Sequence, residues 1–167
     1  MSYNYFSGEP VMGLAEGRPL FVRSVGDKFN LANLMRAHLC GSVAVLKVGN
    51  DVLFNEEHVK VDRITGHGGL FKTKGVGQRI LAAALNSPIS VMETAGEGGA
   101  WGMALLASYL VNKGSKSLPL WLEEDVFAGN EGESVTPTAE EVEGFDAYLK
   151  NYIACLPVEQ AAVAYKK

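Results

Sequence analysis

Two glycine-rich turns, each set between an apolar strand-like run and a helix-like run, limit the folds open to this chain more than any other feature. The first is Gly66-His67-Gly68-Gly69, after Val59-Lys60-Val61-Asp62-Arg63-Ile64-Thr65 and before Gln78-Arg79-Ile80-Leu81-Ala82-Ala83-Ala84-Leu85. The second is Gly96-Glu97-Gly98-Gly99-Ala100-Trp101-Gly102, after Ile89-Ser90-Val91-Met92 and before Met103-Ala104-Leu105-Leu106-Ala107. Glycine permits positive φ and close approach of the backbone to another group. At a helix start it also leaves unpaired N–H groups that an anion can accept from. The repeated strand–turn–helix order implies parallel strands joined by a right-handed crossover. Two such turns point to one nucleotide held by two loops.

Around this centre the pattern predicts an α/β chain. Residues 1–25 hold Gly8, Pro10, Gly13, Gly17 and Pro19 about the short run Leu20-Phe21-Val22, which predicts loops with one or two short strands. Asp27 is expected to cap a long helix reaching about Asn55, with Leu31, Leu34, Met35, Leu39, Val43, Leu46 and Leu53 as its apolar stripe. Gly41 and Gly49 lower its propensity and mark places of close packing. A strand over 59–65, with Lys60 and Asp62 on a polar face, a helix over 74–86, a strand over 89–92 and a helix over 99–112 follow. Gly114 to Pro137 is expected to be a polar linker whose one apolar stretch is Leu118 to Val126. Thr136-Pro137 is expected to start a last helix with Val142, Phe145, Tyr148, Leu149, Tyr152 and Ile153 on one face. Pro157 should interrupt it, before a tail ending in Lys166-Lys167.

The 167 residues suffice for one ordinary domain, and the chain is expected to be a single segment over 1–167. A hydrophobic fraction of 47% and a charged fraction of 20% fit a globular protein. The net charge of −4 argues against a nucleic-acid surface. Cys40 and Cys155 lack a CxxC spacing and fit free thiols in a reducing cytoplasm. No apolar stretch has the length of a membrane span, and Met1 to Pro10 lacks the pattern of a signal peptide.

The first turn is not a Walker loop, since neither GKS nor GKT follows, and the third glycine of a dinucleotide fingerprint is missing. Lys72 and Lys74 lie just past it, within reach of a phosphate, and His67 is a polar group inside it. In the second turn Gly102 is expected to line a ligand and Trp101 to belong mostly to the core. His38, His58 and His67 have no metal-ligand spacing, and no metal site is expected. The acidic runs Glu123-Glu124-Asp125 and Glu140-Glu141-Val142-Glu143 are expected on the solvated surface, the latter at a helix N-terminus.

In this order and spacing, Arg36-Ala37-His38-Leu39, "TGHGG", "QRILAAAL", "ISVME" and "GGAWGMALLASYL" resemble the C-terminal part of the FGGY family of carbohydrate kinases. The likeness runs roughly from Gly13 to Tyr152 and is greatest to bacterial xylulokinase-type members. It implies part of an actin-like, ribonuclease-H-like nucleotide-binding domain, with ATP and Mg²⁺ as cofactors and a pentulose such as xylulose as substrate. By the same resemblance Gly68, Gly69 and Leu70 would meet the phosphates, Lys72 and Thr73 would stand in the region where the family commonly has an asparagine, and Gly102 would line the adenosine. The family's catalytic aspartate lies in a "GxGD" segment ahead of the matched region, so no catalytic residue is assigned here, Gly26-Asp27 included. The resemblance thus implies a cytoplasmic sugar-kinase portion, inactive alone, whose long-helix stripe at Leu31, Leu34, Met35 and Leu39 and sheet edge nearest Val59 to Thr65 are expected to be exposed and to favour self-association. Two other readings stay open: a non-enzymatic actin-like ATP-binding module, and a dinucleotide-binding oxidoreductase domain, against which the broken GxGxxG counts.

Overall fold

The computed structural model describes residues 1–61, 63–129 and 132–165, and the chain divides into two compact units. One comprises Met1–Val61, Ile80–Asn86 and the segment from Pro137 onward; the other comprises 63–79 and Ser87–Thr136. The polar strand position expected at Asp62 and the tail Lys166-Lys167 lie outside the described residues.

In the first unit, β1 (Ser2–Tyr3) pairs antiparallel with β2 (Leu20–Phe21), and the long helix α1 spans Leu31–Asp51. The cap of α1 is Asn30 rather than Asp27: Asn30 Oδ1 accepts from Asn33 N–H at 2.9 Å, while Asp27 Oδ2 accepts from Ser24 N–H in the preceding turn. Beyond Asp51 the helix continues as a π-helical turn over Val52–Glu56. Its buried face is Cys40, Gly41, Val43 and Ala44, and Leu31 and Met35 of the expected stripe are exposed. Gly41 is needed, because a Cβ there would overlap the backbone carbonyl of Ser2; Gly49 has open space around it and no such reason.

The C-terminal helices complete this unit. Thr138, not Thr136, caps α5 (Ala139–Ala154) in a reciprocal capping box: Glu141 N–H donates to Thr138 Oγ1, and Thr138 N–H donates to Glu141 Oε2. Pro157 does not simply break the chain; it sits in the first turn of α6 (Leu156–Ala164), where its missing N–H costs nothing. Phe145, Leu149 and Tyr152 of α5 are buried, and Ile153 is exposed. Tyr3 Oη donates to the Tyr152 carbonyl at 2.7 Å, and Tyr152 Oη donates to Tyr5 Oη at 2.7 Å. Burial drives the Tyr3, Tyr148 and Tyr152 hydroxyls upward from the ordinary tyrosine value, so all three stay neutral donors.

In the second unit, β3 (Ile64–Gly66) pairs parallel with β4 (Ile89–Val91), and β4 pairs antiparallel with β5 (Glu133–Val135), giving the order β3-β4-β5. The parallel pair is the crossover expected from the sequence, although β3 starts at Ile64 rather than near Val59. The chain between β3 and β4 runs through α2 (Val76–Leu85), whose first turn belongs to this unit and whose residues from Ile80 on belong to the first, and α3 (Gly98–Asn112) follows β4. The expected linker is partly ordered into α4 (Leu118–Trp121), a π-helical turn over Leu122–Val126 and β5. Trp121 is buried with its ring 5.5 Å from that of Tyr109.

One buried carboxylate ties the N-terminal loop of the first unit to α6. Glu159 is fully buried, and its Oε1 accepts from Arg18 N–H at 2.6 Å. Glu159→Ala strands that N–H and leaves a void, and is expected to destabilise the chain by roughly 2–4 kcal/mol. Glu159→Gln keeps the acceptor and should cost clearly less. Chemical denaturation of the two variants checks the ranking.

Candidate functional site

The parallel register of β3 and β4 places the turn that leaves each strand side by side. Gly66, the last residue of β3, is buried, and the Phe71 ring lies where its Cβ would be. Gly68 then takes φ +102°, ψ −174°, a conformation that side chains rarely adopt. Its N–H donates to the Ala95 carbonyl at 2.7 Å, which joins the first turn directly to the second. A 3-10 turn over Gly69–Phe71 follows, and α2 begins at Val76.

On the facing turn, two glycines make room for side chains of the first. A Cβ at Gly96 would come within 3.2 Å of Lys72 Cγ, and one at Gly98 within 3.3 Å of His67 Cβ and Nδ1. Lys72 Nζ reaches Glu97 Oε1 at 2.6 Å, and this hydrogen-bonded lysine holds the Glu97 carboxyl below the usual carboxylate range. Gly69, Gly99 and Gly102, by contrast, face open space.

Next to the first turn lies a cavity of about 800 Å³, the size of a small-molecule site. Thr73, Lys74 and Gly75 form one wall, and Val91, Met92 and Glu93, at and beyond the carboxyl end of β4, form another. That is the edge of an open α/β sheet where ligands bind. Gln78, buried at the start of α2, also lines it, and Nε2 of Gln78 donates to the carbonyls of Ile89 and Glu133, both at 2.7 Å. Across it Lys74 Nζ pairs with Glu133 Oε2 at 2.7 Å, and this hydrogen bond raises the Lys74 pKa.

Of the residues singled out from the sequence, Gly68, Gly69 and Leu70 are brought together on the first turn, and Thr73 lines the cavity. Gly102 lies one turn inside α3 and is not part of the cavity wall. Trp101 departs from its expected place in the core: it is 39% exposed, and α3 buries none of its residues. Sequence reasoning missed Gln78, Phe71, Glu97 and Glu133. The available signals were a lone amide ahead of an alanine-rich helix and two lysines flanking Thr73, whose acidic partners lie far along the chain. Among the described residues no three His, Cys, Asp or Glu side chains gather into a metal site, and no helix is long and apolar enough to cross a membrane.

Residues 1–111 match the C-terminal domain of the FGGY family of carbohydrate kinases. The chain belongs to that family. No curated protein and no solved structure matches it. Full-length FGGY members are phosphotransferases acting on small sugars, and the mixed α/β architecture with its small sheets is consistent with their C-terminal domain. The match contains both glycine turns and ends within α3.

The Gly66–Phe71 contact gives a direct test of how the turn is held. Gly66→Ala forces the ring out of its place and should cost roughly 1–3 kcal/mol. Phe71→Ala made in the Gly66→Ala background should cost less than Phe71→Ala alone, because the two positions compete for one volume. A double-mutant cycle in urea measures the coupling.

Proposed function

We propose that this chain is the C-terminal portion of the nucleotide-binding domain of an ATP-dependent sugar kinase, with xylulose or a related pentulose as acceptor. The observation that carries this reading is the open glycine turn at Gly68-Gly69 beside a nucleotide-sized cavity, in a chain of the FGGY family. The residues present fit ATP. A Cβ at Gly69 would meet nothing, Leu70 is exposed next to it, Thr73 lines the cavity, and Gly102, outside the cavity wall, has open space beside it for the adenosine role that the family likeness gives it. They do not by themselves fit Mg²⁺, for want of clustered acidic ligands among the described residues, so the metal enters this proposal only as the companion of the nucleotide.

In the complete enzyme an aspartate outside this chain takes the proton of the sugar hydroxyl. The backbone N–H groups of Gly69 and Leu70 hold the phosphates in line with it, that of Gly68 being engaged by the Ala95 carbonyl, and preorganised donors stabilise the charge of the transferred phosphoryl group. The proposed location is the cytoplasm, the redox setting that suits the free thiols Cys40 and Cys155.

Gly69→Val and Gly102→Val test the nucleotide site cleanly, since each added side chain enters open space and leaves folding intact. Each should weaken ATP binding by on the order of 1–3 kcal/mol in calorimetry. The unmodified chain should bind ATP without sugar-dependent ADP release. Unchanged affinity in both variants rejects the site, and pentulose-dependent turnover rejects the inactive-portion reading.

The reading includes self-association. Leu31 and Met35 of the α1 stripe are 73% and 61% exposed, Met103, Leu110 and Val111 of α3 are exposed as well, and exposed apolar side chains of this kind favour association. Sedimentation across a range of concentrations should show the average mass rising. A constant monomer mass at high concentration overturns this part of the proposal.

A further inference from the structure

Lys72 is placed more narrowly than a surface lysine needs to be. In a 3-10 turn, side chains three residues apart eclipse one another. Lys72 closes the turn that Gly69 opens, its N–H donating to the Gly69 carbonyl, so its side chain rises on the Gly69 side. From there the stem lies along Gly96, where a Cβ would crowd Lys72 Cγ, and the ammonium ends on Glu97. The lysine therefore bridges the two glycine turns, starting three residues past Gly69 on the first and ending with its charge on Glu97 of the second. Its ion pair is wet, the side chains being 57% and 74% exposed, and such pairs are weak. A triphosphate offers an ammonium group several anionic oxygens, against the single carboxylate of Glu97.

We propose that Lys72 is a phosphate ligand held in reserve by Glu97: when a nucleoside triphosphate occupies the glycine turn, the ammonium leaves the Glu97 carboxylate for a phosphate oxygen. The inference rests on the nucleotide-binding reading above and adds to it a residue role and a built-in competitor. Glu97 keeps Lys72 extended over Gly96 in the free protein, so the donor is already positioned when phosphate arrives. The carboxylate also opposes binding, because its hydrogen bond to Lys72 has to be given up. It follows that removing the acid and removing the base act in opposite directions on affinity.

The experiment is calorimetric titration of the full chain with ATP and, separately, with adenosine, for the wild type, Lys72→Met, Glu97→Gln and the double variant. Lys72→Met should weaken ATP by roughly three- to ten-fold, as loss of one charge-assisted contact in a partly wet site implies. Glu97→Gln should tighten ATP by about two- to five-fold. Most of that gain should vanish in the Lys72→Met background, and adenosine affinity should stay the same throughout. Lys72→Arg, which keeps the charge, should retain affinity near the wild type. If Glu97→Gln weakens ATP as Lys72→Met does, the pair is a structural strap and the proposal is overturned. An equal gain from Glu97→Gln in both backgrounds also overturns it, since simple repulsion by the carboxylate then suffices. A wild-type chain that binds no ATP removes the nucleotide reading and this inference together, an outcome distinct from either of the others.

Discussion

The parallel pairing of β3 with β4, register Ile64 to Ile89 and Gly66 to Val91, is the constraint on which the second unit depends. Parallel strands need a long connection, and here it runs through α2. Parallel strands also release their turns at the same edge, so the segments after Gly66 and after Val91 emerge as neighbours. The hydrogen bond from Gly68 N–H to the Ala95 carbonyl closes the space between them. Gln78 supports the arrangement from below, because its amide donates to carbonyls of both β4 and β5 and so fastens the start of α2 to the sheet. The glycine turn is consequently held between a strand behind it and a pinned helix ahead of it.

The elements that the sequence displayed well are those whose signal is local. Helix α3 was expected over 99–112 and spans Gly98–Asn112, and β4 was expected over 89–92 and spans Ile89–Val91. The family likeness rested on the same local stretches, and both turns lie within the matched residues. Misjudged elements were decided by tertiary partners. Asp27 has the chemistry of a helix cap, yet it closes an earlier turn on Ser24 and leaves Asn30 to cap α1. The Thr136-Pro137 pair has the pattern of a helix start, but Thr138 with Glu141 three residues on forms the better capping box. The stretch 114–137 has the polar composition of a linker, and within it Glu133–Val135 is a strand only through its pairing with β4.

The glycines of the two turns show how far composition underdetermines a site. In sequence they look alike, but their surroundings divide them into three classes. Gly68 serves a backbone conformation, while Gly66, Gly96 and Gly98 serve volume, each giving way to Phe71, Lys72 or His67. Gly69 and Gly102 serve neither purpose, since a Cβ at either would meet nothing within 4 Å. The side chains that impose the volume demands come from the opposite turn or from the next turn of backbone, and one sequence carries no marker for that pairing.

The third class of glycine has a thermodynamic consequence that separates the two units. Gly98, Gly99 and Gly102 all fall in the first turns of α3, where each costs up to about 1 kcal/mol relative to alanine. Glu97 gives that helix no side-chain cap, and α3 buries no residue of its own to offset the loss. Gly98 is explained by His67, which leaves Gly99 and Gly102 as helix positions where alanine would fit and be more stable. The first unit does the reverse: its tyrosines are buried and bonded to one another, α5 has a complete capping box, and Gly41 is spent on a close backbone contact. Stability is thus concentrated away from the glycine turns. Alanine at Gly99 or Gly102 is therefore expected to raise stability without a steric cost.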